Sequence, residues 1–174
     1  MTTTSPSAGP VADVAASLAV PTERWVLGHR VQPIPTGGDY ALLSIVTPAH
    51  TEGPPPHYHD DAAEVLHVID GQLDVMVDGT WHVLTSGRNV IAPAGAVHTF
   101  RNPTDRDTHW ITSFGPAGFE GFFEEFGVPV DDDGARAASL APDLIGRVLE
   151  GCGRYGMIVV LPEDGGGAGG ARSD

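Results

Sequence analysis

The stretch GPPPHYHDDAAEVLHVIDG, residues 53–71, sets His57 and His59 one residue apart and Glu64 five positions further on. Three prolines lead in and the apolar run 65–69 leads out. In an extended chain alternate side chains share a face, so His57 and His59 can converge on one point while Tyr58 faces away. Glu64 opens the next apolar run and can reach the same point if the chain bends at Asp60-Asp61. A further imidazole is available in GRNVIAPAGAVHTFRN, residues 87–102, where His98 follows the turn signal Pro93-Ala94-Gly95. Three imidazoles and a carboxylate suit one borderline divalent transition ion: iron, manganese, nickel, cobalt, copper or zinc. A polar loop that happens to contain histidines accounts for His57 and His59 alone, but not for all four residues.

The surrounding pattern is all-β. Apolar or alternating runs at 24–31, 40–47, 64–69, 73–77, 80–84, 89–92, 96–101 and 108–114 read as eight short strands. Gly37-Gly38, Asp70-Gly71, Asp78-Gly79, Ser86-Gly87 and Asn102-Pro103 punctuate them. Asp-Gly suits the positive φ angles of tight hairpins, so the two Asp-Gly pairs are expected to join three antiparallel neighbours. Strands at this spacing predict a sandwich or barrel. Phe119, Phe122, Phe123 and Phe126 then fall at i, i+3, i+4 and i+7, one face of a helix. Residues 140–150 form a second helical pattern with Gly151 as its expected stop, and 155–161 a closing strand. No internal repeat is present, so a duplicated barrel is not expected.

The 174 residues, 41% hydrophobic, suffice for one domain with a packed core. Residues 1–20, rich in Thr, Ser, Ala and Pro, read as a mobile arm, and the glycine-rich stretch 163–174 as a disordered tail. That leaves 21–162 as the domain. No run approaches the ~20 apolar residues of a membrane span, and the start lacks the basic n-region of a signal peptide. The single cysteine, Cys152, makes no internal disulfide, and together these features predict a cytoplasmic protein. With a formal charge of −14, the chain repels phosphate backbones and anionic lipid, which argues against nucleic-acid or membrane partners.

In order and spacing, Gly53, His57, His59, Glu64 and Gly71, followed by Gly87, Pro93, Gly95, His98 and Asn102, resemble the two signature motifs of the cupin superfamily. The second stretch fills the pattern G-x5-P-x-G-x2-H-x3-N. The first departs in its turn: three prolines, rather than five residues, separate Gly53 from His57. The resemblance implies a double-stranded β-helix, a jelly-roll barrel, followed here by one or two C-terminal helices. It also implies a metal inside the barrel on His57, His59, Glu64 and His98, with coordination positions left open. The stretches EVLHVIDGQLDVMVDG and PAGFEGFFEEFGVP look most like single-domain cupins of the flavonol (quercetin) 2,3-dioxygenase type. That likeness implies a small-molecule substrate, enolisable or phenolic, and dioxygen as co-substrate. Metal-dependent cyclases or isomerases of polyketide pathways and non-catalytic binding cupins are the alternatives.

Within that frame Glu64 has two possible roles, as a plain ligand or as the acceptor of a substrate hydroxyl proton. Alternation along 64–69 turns Leu66 and Val68 inward with Glu64 and His67 outward. The sequence leaves His50 and His109 open. The phenylalanine stripe reads as a helix packed over an open barrel end, with a substrate channel as the other possibility. Small cupins commonly pair, and an exposed edge strand near 24–31 would need cover, so a homodimer is expected.

Overall fold

The computed structural model describes residues 22–131 and 133–160; the expected mobile arm and tail lie outside the described residues. In chain order the strands are β1 Arg24–Val26, β2 His29–Ile34, β3 Ala41–Thr47, β4 Thr51–Glu52, β5 His57–His59, β6 Ala63–Asp70, β7 Gln72–Val77, β8 Thr80–Thr85, β9 Asn89–Ala92, β10 His98–Asn102 and β11 Thr108–Gly115. Helix α1 Glu120–Phe126, strand β12 Val128–Pro129 and helices α2 Ala135–Ala138 and α3 Pro142–Gly151 follow. A 3-10 turn at Cys152–Tyr155 leads into β13 Met157–Val159.

One sheet runs β12-β1-β2-β3-β11-β6-β9 and the other β13-β5-β10-β7-β8, with β4 also paired to β10. All pairings are antiparallel. Strict alternation of buried and half-buried residues in β3, β6 and β11 gives each strand one inward face. Leu43 and Leu66 of the first sheet meet Leu73 and Val75 of the second in one wholly buried core. This is the expected jelly-roll architecture, with its helices after the last barrel strand.

Two local expectations are corrected. Residues 24–31 are not one strand but a hairpin, turned at Leu27 and Gly28, whose φ angles are +49° and +84°. The turn also gives β1 a partner on each side, β12 and β2, so the expected exposed edge at 24–31 is covered. Asp78-Gly79, with φ +47° and +79°, makes the predicted hairpin between β7 and β8. Asp70-Gly71 does not: β6 and β7 lie in different sheets, and Asp70 is not at positive φ. There the chain turns a corner, held by Thr108, whose Oγ1 accepts from Gln72 N and donates to Gln72 O. A Cβ on Gly71 would stand 2.8 Å from that hydroxyl, so the glycine permits a close approach rather than a hairpin.

Candidate metal centre

The proline lead-in is built to hold the first histidines. None of the three prolines has an N–H to satisfy, and each carbonyl accepts a hydrogen bond. Pro54 O takes Thr99 Oγ1–H at 2.6 Å, Pro55 O takes His57 Nδ1–H at 3.0 Å, and Pro56 O takes Val160 N–H at 2.8 Å. Gly53 precedes them because a Cβ there would lie 2.0 Å from the Phe100 carbonyl oxygen. β5 then exposes neither histidine: His57 and His59 are buried and Tyr58 between them is turned outward, as alternation requires.

His98 arrives from the neighbouring strand, in register with His57, with their ring centroids 4.4 Å apart. The turn before it closes by Ala96 N–H to Pro93 O, with Gly95 at φ +79° donating its N–H to His59 O. That turn sets the Ala96 carbonyl to accept His98 Nδ1–H at 2.9 Å. Asn102 anchors the far end of β10 by donating to the carbonyls of Thr47, Pro48 and Arg106 and accepting from Thr104. Glu64 faces these imidazoles from β6 of the opposite sheet, so the four residues bridge the barrel interior. Thr112 Oγ1 donates to its Oε1 at 2.8 Å.

The donors converge. One ligand atom from each of His57, His59, Glu64 and His98 lies within 4.8 Å of every other, and all four residues are buried. For an ion about 2.1 Å from each donor, neighbouring donors lie about 3 Å apart and opposite ones about 4.2 Å. Oε2 of Glu64 is 2.9 Å from His98 Nε2 and 3.5 Å from His59 Nε2. With Nδ1–H committed to Ala96, His98 Nε2 carries a lone pair, as does Oε2, so a proton or metal ion must stand between them. His57 is fixed in the same tautomer by Pro55. His59, 2% exposed, has no hydrogen-bond partner at either nitrogen. Such an orphaned buried nitrogen costs about 1–3 kcal/mol, and an ion at Nε2 relieves one of the two. The chemistry and placement of the donor set fit a divalent transition ion.

The electrostatics agree. Burial pushes the Glu64 carboxyl up, but the hydrogen bond to His98 and the imidazoles crowded against Oε2 outweigh it and hold the group ionised, below the usual carboxylate range. Burial lowers His98, yet its hydrogen bond to Glu64 and that charge win and raise it. His57 is lowered to about 4 by burial and by the charge of His98, against the pull of Glu64. A neutral imidazole with its lone pair inward is the form that ligates.

The remaining candidates fall outside the cluster. His67 lies on the outward side of β6, as alternation predicted. His50, exposed and at φ +50°, pairs with Asp105 at 2.8 Å. His109 Nε2 bonds Ser44 Oγ at 2.9 Å on the outward side of the first sheet. The phenylalanine face of α1 does both things the sequence allowed. It seals the barrel, with Phe119 edge-on to His59 at 4.6 Å, and Phe119, Phe122 and Phe123 line a cavity that ends on His57, His59 and Glu64. The cavity measures about 60 Å³ and its other walls, including Phe100, Trp110 and Phe114, are mostly apolar.

Three residues at this site escape a reading of the sequence: Thr112, Thr47 and His29. His29 is 4% exposed, lines the cavity and bonds Thr47 Oγ1 through Nδ1 at 3.1 Å. If 24–31 were one strand, His29 would face opposite to Val26; the Leu27-Gly28 turn shifts the alternation, so Val26, His29 and Val31 are all buried. Gly28 within an apolar run was the available signal.

Residues 44–114 match the family model of the cupin domain, a span that holds all four residues of the cluster. A stretch of 88 residues is 30% identical to quercetin 2,3-dioxygenase of Bacillus subtilis, covering 48% of this chain and 26% of that protein. Another of 84 residues is 25% identical to the polyketide synthase CurC of Streptomyces cyaneus, covering 48% of this chain and 54% of that one. The chain thus spans about a quarter of one relative's length and about half of the other's. Among solved structures, an RmlC-like cupin from Shewanella frigidimarina superposes with a TM-score of 0.50 at 26% identity, covering 56% of this chain and 85% of that one. Among the described residues no helix is long and apolar enough to cross a membrane.

Proposed function

We propose that the chain, whose residues 44–114 match the cupin domain model, is a metal-dependent dioxygenase acting on a small enolisable or phenolic molecule. The observation that carries this reading is Glu64: an ionised carboxylate in the wall of a mostly apolar cavity, beside three imidazoles whose inner nitrogens converge on it. One divalent transition ion, held by His57, His59, Glu64 and His98, would supply Lewis acidity and positions open to substrate and dioxygen.

The chain's own groups do the rest. Glu64 accepts the substrate's hydroxyl proton at Oε2, while Thr112 holds Oε1 and with it the plane of the carboxylate. Held below its usual range, the carboxylate is ionised but weakly basic, so it demands an acidic hydroxyl, which enols and phenols have and aliphatic alcohols lack, and which the ion would acidify further. Phe100, Trp110 and Phe114 offer flat apolar walls to a planar substrate and exclude water from the deprotonated form. The similarity to quercetin 2,3-dioxygenase supports the same class. At about 60 Å³ the cavity has room for about four waters. It therefore favours small enolisable compounds, and since a benzene ring occupies a cavity of about 150 Å³, even a single-ring phenol requires the phenylalanine face of α1 to give way.

Oxygen uptake by the metal-loaded protein across a panel of phenols and β-diketones tests the reading. Uptake with at least one compound, in proportion to product, is expected. A second reading, a metal-dependent cyclase or isomerase, draws on the similarity to CurC; it requires conversion of a panel compound under argon. Binding without conversion in either atmosphere would instead mark a non-catalytic cupin. The reading includes a homodimer, supported by exposed Trp81 and Val83 on the edge strand β8, and light scattering giving a monomer mass would remove that part.

A further inference from the structure

Trp110 Nε1–H can only donate, and it donates to Thr47 Oγ1 at 2.9 Å. The Thr47 hydroxyl is wholly buried, and its other partner is His29 Nδ1 at 3.1 Å. A buried hydroxyl proton without an acceptor is costly, so the arrangement that satisfies all three groups runs in one direction. Trp110 donates to Thr47, Thr47 donates to His29 Nδ1, and the ring proton of His29 resides on Nε2. Nε2 is buried and makes no hydrogen bond of good geometry, although the backbone carbonyl of Glu52 lies close enough to the ring to favour its protonated form. The ring packs edge-on against Phe100 at 5.1 Å, in the lining of the cavity that ends on the four-residue cluster, and it does not join that cluster. An N–H without a well-formed hydrogen bond in an apolar wall is costly in the empty protein, and a ligand oxygen placed against it recovers that cost.

We propose that His29 is a specificity-determining residue, whose Nε2–H donates to a second oxygen of the bound ligand, set apart from the hydroxyl that meets Glu64. The inference rests on the cavity being the ligand site, as proposed above, and narrows the ligand class. The ligand is a compact, planar, largely apolar molecule with an acidic hydroxyl at one end and a carbonyl or comparable acceptor at the other. A site built to hydrogen-bond such an oxygen rejects the analogue that lacks it, because the buried N–H is then left unpaired.

Two measurements test this. Two-bond proton–nitrogen spectra of the 15N-labelled wild-type protein report the His29 tautomer without any ligand, activity or mutation. The Nε2–H pattern is expected, and a ring protonated at Nδ1 alone would overturn the inference. The second measurement is calorimetric titration of the metal-loaded protein with 4-hydroxyacetophenone and 4-ethylphenol, which match in shape but differ in the carbonyl. Wild type should prefer the ketone by about fivefold, the worth of one neutral hydrogen bond. His29→Phe should erase the preference by weakening the ketone alone, and His29→Asn, which keeps a donor, should restore part of it. A preference absent in wild type, or surviving in His29→Phe, overturns the role of His29 while leaving the cavity as the ligand site. If neither probe binds wild type, the cavity reading itself fails and this inference falls with it.

Discussion

Thr112 Oγ1 donates to Glu64 Oε1 at 2.8 Å, so only Oε2 of that carboxylate faces the imidazoles of His59 and His98. The two residues sit on neighbouring strands of one sheet, and the bond fixes which oxygen is presented to the opposite sheet. Thr112→Val keeps the shape and removes the hydroxyl. Because partners of a ligand orient it, metal affinity should fall by about 10- to 100-fold, read by competition with a chelator, with the circular dichroism spectrum unchanged. An affinity within twofold of wild type would show that packing alone positions Glu64.

The cluster itself predicts a contrast between two histidines. His98→Ala removes a buried donor held by Ala96 and matched to Oε2, and should leave the purified protein with little bound metal. His67→Ala, on the other face of the sheet, should keep close to one ion per chain by elemental analysis. Wild-type protein that takes up no divalent metal on reconstitution would end the metal reading for the whole cluster.

What the sequence showed of this site and what it concealed have separate physical causes. Histidines 57, 59 and 98 and Glu64 were legible because strand alternation has a fixed period and motif spacing fixes who shares a face. The same alternation correctly turned His67 and Tyr58 away. His29 was hidden by a local event, a turn at Leu27-Gly28 inside an apolar run, which shifts that period by one residue. Asp70-Gly71 misled for a related reason. The dipeptide carries hairpin chemistry, but tertiary structure decides whether the next strand pairs back or crosses to the other sheet, and the Thr108 clasp makes it cross. Thr112 and Thr47 are ordinary residues of strand interiors, and only the folded chain shows that they point at Glu64 and His29.

His29 also makes stability depend on pH. Burial first, and then the charge of Arg136, lower its pKa from 6.5 to about 4, with the backbone carbonyl of Glu52 opposing the shift. The unfolded chain takes up the proton as pH falls through 6.5, whereas the native protein resists until about 4. The unfolded state therefore gains protons first, and stability present above pH 6.5 is lost progressively as pH falls toward 4. The full effect is about 3 kcal/mol. His29→Leu should flatten this part of the pH profile in urea denaturation at pH 7.5 and pH 5, even if its stability at pH 7.5 differs from wild type. His57 is lowered too, but contributes to both proteins and cancels in the difference. Parallel pH profiles for variant and wild type would mean that His29 protonates in the native state as readily as in the unfolded chain.

The last prediction separates holding a metal from moving a proton at Glu64. Glu64→Gln keeps the length and one oxygen donor while removing the charge and the basic oxygen. If Oε2 accepts the substrate proton, metal occupancy should fall only in part, while turnover per bound ion falls by at least ~100-fold, the low end of what loss of a general base costs. Rate alone cannot distinguish the two, because lost ligation also lowers it, so metal content is measured on the same samples. A rate per bound ion close to wild type would leave Glu64 as scaffold, oriented by Thr112 to hold the centre together. Proton removal would then have to fall to water or to another side chain of the cavity wall. On the tautomer inferred above, with the ring proton on Nε2, His29 is a donor and cannot serve as that base. The cyclase or isomerase reading would then gain, since an ion that polarises a carbonyl needs no carboxylate base beside it.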